Sequence, residues 1–118
     1  MSRSPINHPP GLLLLLTCLG LLSPIGTAAD RVALVIGCDG YEHTRKLENA
    51  RADAGAIAEL LRQVDFEVIE QLDPGVEAIY ESLDQFREAA AGAKVGLFYF
   101  AGHGVEVDGE NYLIPVDA

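Results

Sequence analysis

The sequence predicts an α/β protein: an incomplete three-layer α/β/α arrangement around a mostly parallel sheet, in the order β-α-β-α-β-hairpin. Three observations carry this. Arg31–Gly37 (RVALVIG) and Val95–Ala101 (VGLFYFA) are apolar runs rich in β-branched or aromatic residues and too short for typical helices. Segments with helical period alternate with the strand runs, the pattern of crossover connections in a parallel sheet with helices on both faces. The dipeptide Asp108-Gly109 sits between two short strand-like runs, which is a hairpin signal.

Taken in order, the chain first shows a leader. Arg3 lies in a polar start, Leu12–Leu22 forms a short apolar core, and Gly26-Thr27-Ala28-Ala29 supplies small residues for cleavage. Residues 1–29 are therefore expected to be a secretory signal peptide and the protein to be exported. The apolar core is shorter than the roughly 20 residues that span a bilayer, so no membrane association is expected once the leader is removed; an uncleaved N-terminal anchor is the alternative. Residues 30–118 form one domain.

Arg31–Gly37 reads as the first buried strand. Cys38-Asp39-Gly40-Tyr41 turns into a polar loop running to about Leu47. A helix starts near Asn49, a reasonable N-cap, with Ala50, Ala54, Ile57, Ala58 and Leu61 on one face. Phe66–Leu72 is a strand whose partial alternation suggests a more peripheral place. Asp73-Pro74 opens a second helix, with Asp73 capping and Pro74 in the first turn. Val76, Ile79, Leu83, Phe86 and Ala90 form its apolar stripe. Val95–Ala101 reads as a central strand covered on both faces. The hairpin runs from Val105–Val107 through Asp108-Gly109 to Asn111–Ile114, and Pro115 closes it.

The net charge is −10, and the leader contains Arg3 but no acid, so residues 30–118 carry −11. Such a charge argues against nucleic acid and anionic membranes as partners. No G-x-G-x-x-G or P-loop follows the first strand, which sets aside a nucleotide-binding reading. Beyond the leader the one cysteine is Cys38, so that part holds no internal disulfide.

The third strand ends in Phe100-Ala101-Gly102-His103-Gly104, and Gly109-Glu110-Asn111-Tyr112-Leu113-Ile114-Pro115-Val116-Asp117 follows. This stretch resembles the segment around the catalytic histidine of the caspase-like cysteine peptidases, in particular their bacterial orthocaspase and metacaspase branch. The resemblance covers residues 31–118 and implies a p20-type catalytic domain of a cysteine-type endopeptidase. It implies that His103 assists a thiolate nucleophile and protonates the leaving amine, a task suited to imidazole near neutral pH. It also implies that Gly104 gives a backbone N–H to the oxyanion hole.

Asp53, early in the first helix, is on its own an acid stabilised by the helix dipole. The resemblance places it in the pocket for a basic residue before the scissile bond, so the expected substrate is a peptide or protein cut after Arg or Lys. Arg51 and Ala52 depart from the usual residues there, and Arg51 could pair with Asp53. Cys38 lies at the same sheet edge as His103, but its position is usually Asn in these peptidases and the nucleophile comes from a later strand. A buried, inert thiol is the expectation. In such peptidases the nucleophilic Cys follows the His by about 50 residues, and fifteen residues follow His103 here. The chain thus reads as the front part of a larger peptidase, truncated before the nucleophile and inactive by itself.

His43, beside Glu42, reads as a solvated loop residue. Glu106, Asp108 and Glu110 do not have EF-hand spacing, so no metal or other cofactor is expected, although some relatives of this kind use Ca²⁺. The rival reading is a catalytically silent caspase-like domain acting as a binding or scaffold module; retention of His103 favours the enzyme.

Overall fold

A computed structural model describes residues 29–118; the expected leader cleavage site and the residues before it lie outside or at the border of that span. The order is β1 (Arg31–Gly37), α1 (Ala50–Gln63), β2 (Glu67–Leu72), α2 (Val76–Ala90), β3 (Val95–Ala101), β4 (Gly104–Val107) and β5 (Glu110–Leu113). The strands β2, β1 and β3 form a parallel sheet in the order β2-β1-β3, and β4 and β5 form a separate antiparallel pair. This is the expected α/β/α fold, mostly parallel and partial.

Strand periodicity divides the core in two. Leu34, Ile36 and Cys38 project to one face, where Ile79 and Phe86 of α2 pack. Ala33 and Val35 project to the other, against Ala54, Ala58, Ile57 and Leu61 of α1. The small side chains bring α1 in closely: a Cβ at Gly37 would lie 2.6 Å from Ala54 Cβ and 2.7 Å from the Ala50 carbonyl. The apolar face read for α1 is therefore the one it buries.

The ends of α1 show how local rules and distant residues share the work. Asn49 occupies the N-cap position without a side-chain cap. The Ala50 N–H instead donates to Asp39 Oδ1 at 2.7 Å, eleven residues back along the chain. At the other end Asp65 takes φ +66°. Its N–H donates to the Arg62 carbonyl and the Phe66 N–H to the Leu61 carbonyl, the paired bonds of a Schellman motif. Leu61 and Phe66 then pack in the same cluster, the apolar contact that accompanies such a stop.

Three expectations are corrected. Asp73 does not cap α2 and Pro74 is not in its first turn; Gly75 is the N-cap, and the Val76 N–H donates to Asp117 Oδ1 at 2.9 Å. Asp73 adopts φ +53° and turns its carboxylate back onto the loop after β1. The stripe of α2 is also rotated from the one read. Val76 and Leu83 are exposed, while Ser82 is fully buried, its hydroxyl donating within reach of the Ala78 and Ile79 carbonyls at 2.8 and 3.0 Å. Finally β3 is not the central strand among the described residues: β1 is, and β3 forms one edge. The peripheral place read for β2 does hold.

The hairpin follows its signal. Val107 pairs with Glu110 across a two-residue loop, and Asp108 and Gly109 take φ +52° and +82°, the paired positive values of a type I′ turn. Among the described residues no helix is long and apolar enough to cross a membrane.

Candidate active site

The carboxyl ends of β1 and β3 lie side by side, since Gly37 pairs with Ala101 and the Cys38 N–H donates to the Ala101 carbonyl at 2.9 Å. This is the edge where open α/β sheets place ligands. Three loops meet there, and carboxylates tie them together. Asp73 Oδ1 accepts the N–H groups of Asp39 and Gly40 at 2.8 and 2.9 Å. Asp39 holds the start of α1, and Asp117 holds the start of α2. Charge-assisted bonds of this kind are stronger than neutral ones, so the loop after β1 is fixed from several sides.

That loop receives His103. Its Nε2 lies 2.7 Å from the Arg45 carbonyl oxygen. A carbonyl only accepts, so Nε2 carries the proton, and in the neutral ring Nδ1 keeps the lone pair. The ring rests against Tyr41, with centroids 4.5 Å apart and planes tilted by 49°. The His103 N–H donates to Tyr41 Oη at 2.7 Å, and Tyr41 donates to the Ile114 carbonyl at 3.1 Å. Tyr41 is 1% exposed, so the loop read as polar contains a core residue.

Gly102 is required by this packing. A Cβ there would stand 2.6 Å from Tyr41 Oη and 2.8 Å from Phe100 Cζ. At Gly104 a Cβ would find ordinary contact, 3.4 Å from the Tyr112 carbonyl. The value of Gly104 lies in its N–H. Val107 and Glu110 form the hydrogen-bonded pair next to the turn, and the Ile114 N–H donates to the His103 carbonyl at 3.0 Å. Ladder alternation then makes Gly104 and Leu113 a non-bonded pair, so the Gly104 N–H points away from β5. The His103 N–H, by contrast, is already taken.

Cys38 shares the edge but not the chemistry. It is fully buried, and burial pushes its thiol from 9.0 to about 11, with Asp73 and Asp39 adding to the effect and the Tyr41 hydroxyl opposing it. The thiolate is the nucleophilic form, and this site disfavours it. Asp53 is exposed on the first turn of α1. Its neighbour Arg51 does not pair with it: Arg51 Nε lies 3.4 Å from Asp73 Oδ2, and Asp53 has no ion-pair partner among the described residues. His43 lies 3.7 Å from Glu42, both side chains largely exposed. Among the described residues no group of His, Cys, Asp or Glu side chains is arranged to hold a metal ion.

Residues 30–118 match the family model described as the caspase domain. The chain belongs to the caspase peptidase family. Two curated relatives are the human mucosa-associated lymphoid tissue lymphoma translocation protein 1 and its mouse homolog, each 38% identical over 91 residues and covering 77% of this chain. The chain spans 11% of the length of these relatives. The match supports a caspase-family peptidase domain. The Arg45 carbonyl, Tyr41, the capping aspartates Asp39 and Asp117 and the loop-binding role of Asp73 had no signal in the sequence beyond their residue types.

Proposed function

We propose that this caspase domain is the histidine-bearing part of an exported cysteine endopeptidase of the bacterial caspase-like kind, cutting after Arg or Lys. The observation that carries the reading is the Nε2–Arg45 carbonyl contact of 2.7 Å. It leaves Nδ1 of the neutral ring as the proton acceptor, which a base beside a thiol needs. His103 takes the thiol proton and later returns it to the leaving amine. Gly104 offers an unpaired N–H to the developing oxyanion, and Asp53 faces the basic side chain of the substrate. The reaction uses neither metal nor organic cofactor.

The thiol itself comes from a residue other than Cys38, because burial and two neighbouring carboxylates keep Cys38 protonated. Residues 30–118 alone are accordingly inactive. Export rests on the leader, residues 1–29, and intact-mass analysis of exported protein should find Asp30 at the terminus. The reaction is tested on the full-length protein with fluorogenic peptides ending in Arg, Lys and Asp. Turnover after Arg and Lys, lost in His103→Ala, is expected. Asp53→Ala should cost roughly 2–5 kcal/mol in kcat/KM on Arg peptides, the range for breaking a desolvated charge pair. Equal cleavage after Asp, or activity indifferent to His103, would refute the reading.

A further inference from the structure

We propose that Tyr41 is a positioning residue for His103, holding the imidazole so that its Nε2–H stays on the Arg45 carbonyl. The inference rests on the catalytic reading of His103 just given. Tyr41 touches the histidine twice, once with each of its parts. Its ring packs on the imidazole at a centroid distance of 4.5 Å. Its hydroxyl accepts the His103 N–H at 2.7 Å and donates to the Ile114 carbonyl at 3.1 Å. The Ile114 N–H in turn donates to the His103 carbonyl. The hydroxyl therefore closes a ring of bonds joining the end of β3 to the strand following the turn, with His103 at the elbow.

The same loop carries both restraints on the imidazole, since Tyr41 and Arg45 both lie between β1 and α1. Moving one moves the other. The loop is anchored by Asp73 on the Asp39 and Gly40 N–H groups, and the Glu42 N–H donates to the Val116 carbonyl. Burial raises the Tyr41 phenol above its ordinary value, keeping the hydroxyl protonated and able to donate while it accepts. A tyrosine needed only to fill the core would not require its hydroxyl at this place. Gly102 shows that the hydroxyl is accommodated at a cost, because no residue with a Cβ fits beside it.

The test uses the full-length protein and Tyr41→Phe, which keeps the ring and removes the hydroxyl. We expect kcat to fall roughly ten- to hundredfold with KM within about twofold, as when a buried donor loses its partner and the loss falls on the chemical step. Long-range ¹H–¹⁵N spectra of the His103 ring should also change, from a single Nε2–H tautomer to a mixture with Nδ1–H. Should Tyr41→Phe fold poorly, 3-fluorotyrosine at position 41, which keeps the ring and the hydroxyl but weakens the bond that the oxygen accepts, should shift the tautomer in the same direction. Wild-type kcat with unchanged ring resonances in Tyr41→Phe would overturn the inference, as would lost stability with an unchanged tautomer. If His103→Ala itself retains turnover, the proposed function fails instead, and the ring spectrum still decides whether Tyr41 orients the imidazole.

Discussion

The strands β1 and β3 are alike in sequence and unlike in the structure. Each has seven residues, nearly all apolar; β1 ends in Gly37 followed by Cys38, and β3 ends in Ala101 followed by Gly102 and His103. In β1, Val32 through Ile36 are fully buried, whereas in β3 Val95 and Phe98 are 43% and 45% exposed. The reason is position. β1 has a strand on both sides and a helix on both faces, while α2 packs chiefly over β1 and β2 and leaves Phe98 partly uncovered. The two ends differ in the same way: Cys38 is sealed under the loop after β1, and His103 emerges where that loop can hold it from outside. Burial makes one end inert, and partial exposure makes the other available.

The largest effect should separate those ends. In the full-length protein His103→Ala should lower kcat about 10²- to 10⁴-fold, the usual share of a general acid–base group. Cys38→Ala, which keeps a small apolar side chain, should stay within about twofold of wild type. A folded Cys38→Ala protein with no turnover would invert the comparison and make Cys38 the nucleophile.

Next come the strand bodies. Ile36→Ala removes a fully buried side chain from the α2-side core and should cost about 2–5 kcal/mol by urea unfolding. Phe98→Ala, although a larger deletion, acts on a half-exposed ring and should cost about 1 kcal/mol or less. Equal costs would mean that β3 is covered in the full-length protein by something beyond the described residues, which would sharpen rather than abolish the contrast.

These cases show what the sequence makes legible. Apolar runs and helical periods report that an element is buried and on which face, so the strands, α1 and the layer arrangement could be read directly. The Asp108-Gly109 turn was legible because a positive φ at two successive positions leaves few residue choices. His103 stood out between glycines. Strand order was not legible from RVALVIG against VGLFYFA, because both satisfy the same pattern and only the crossovers decide which lies inside. The caps were only partly legible for a related reason: Asn49 is the N-cap as read but makes no side-chain bond, Asp73 does not cap, and Asp39 and Asp117 reach the helix starts from 11 and 41 residues away. The Arg45 contact was invisible because a backbone carbonyl has no side-chain signature.

The pH dependence of stability offers a smaller measure of how well the end of β1 is sealed. Folding raises the Cys38 thiol from 9.0 to about 11, so the folded state favours the neutral form. That contribution is complete below about pH 9 and is lost as pH rises toward 11. At about 1.36 kcal/mol per unit it amounts to roughly 3 kcal/mol at most. The Tyr41 phenol, also raised by burial, works in the same direction but starts higher. Urea unfolding at pH 8, 9 and 10 should therefore show falling stability, with a shallower fall in Cys38→Ala. Identical slopes would mean that the thiol is solvated.

The smallest effect concerns what fixes the loop between the two ends. Arg51 and Asp73 form an ion pair at 3.4 Å, with the arginine side chain 52% and the aspartate 28% exposed. Exposed pairs of this kind contribute up to about 1 kcal/mol and are weakened by salt. The Asp73 carboxylate, however, also accepts two backbone N–H groups from the loop, and these do not depend on Arg51. If those bonds set the loop, Arg51→Ala should cost less than about 1 kcal/mol at low ionic strength and close to nothing in 0.5 M salt. The His103 ring resonances should not move, because the Tyr41 and Arg45 contacts remain. A loss above about 2 kcal/mol that persists in high salt exceeds what a screened surface pair can supply. It would place Arg51 among the groups that shape the loop, and the sealed and open ends would then depend on one side chain rather than on the backbone bonds that Asp73 receives.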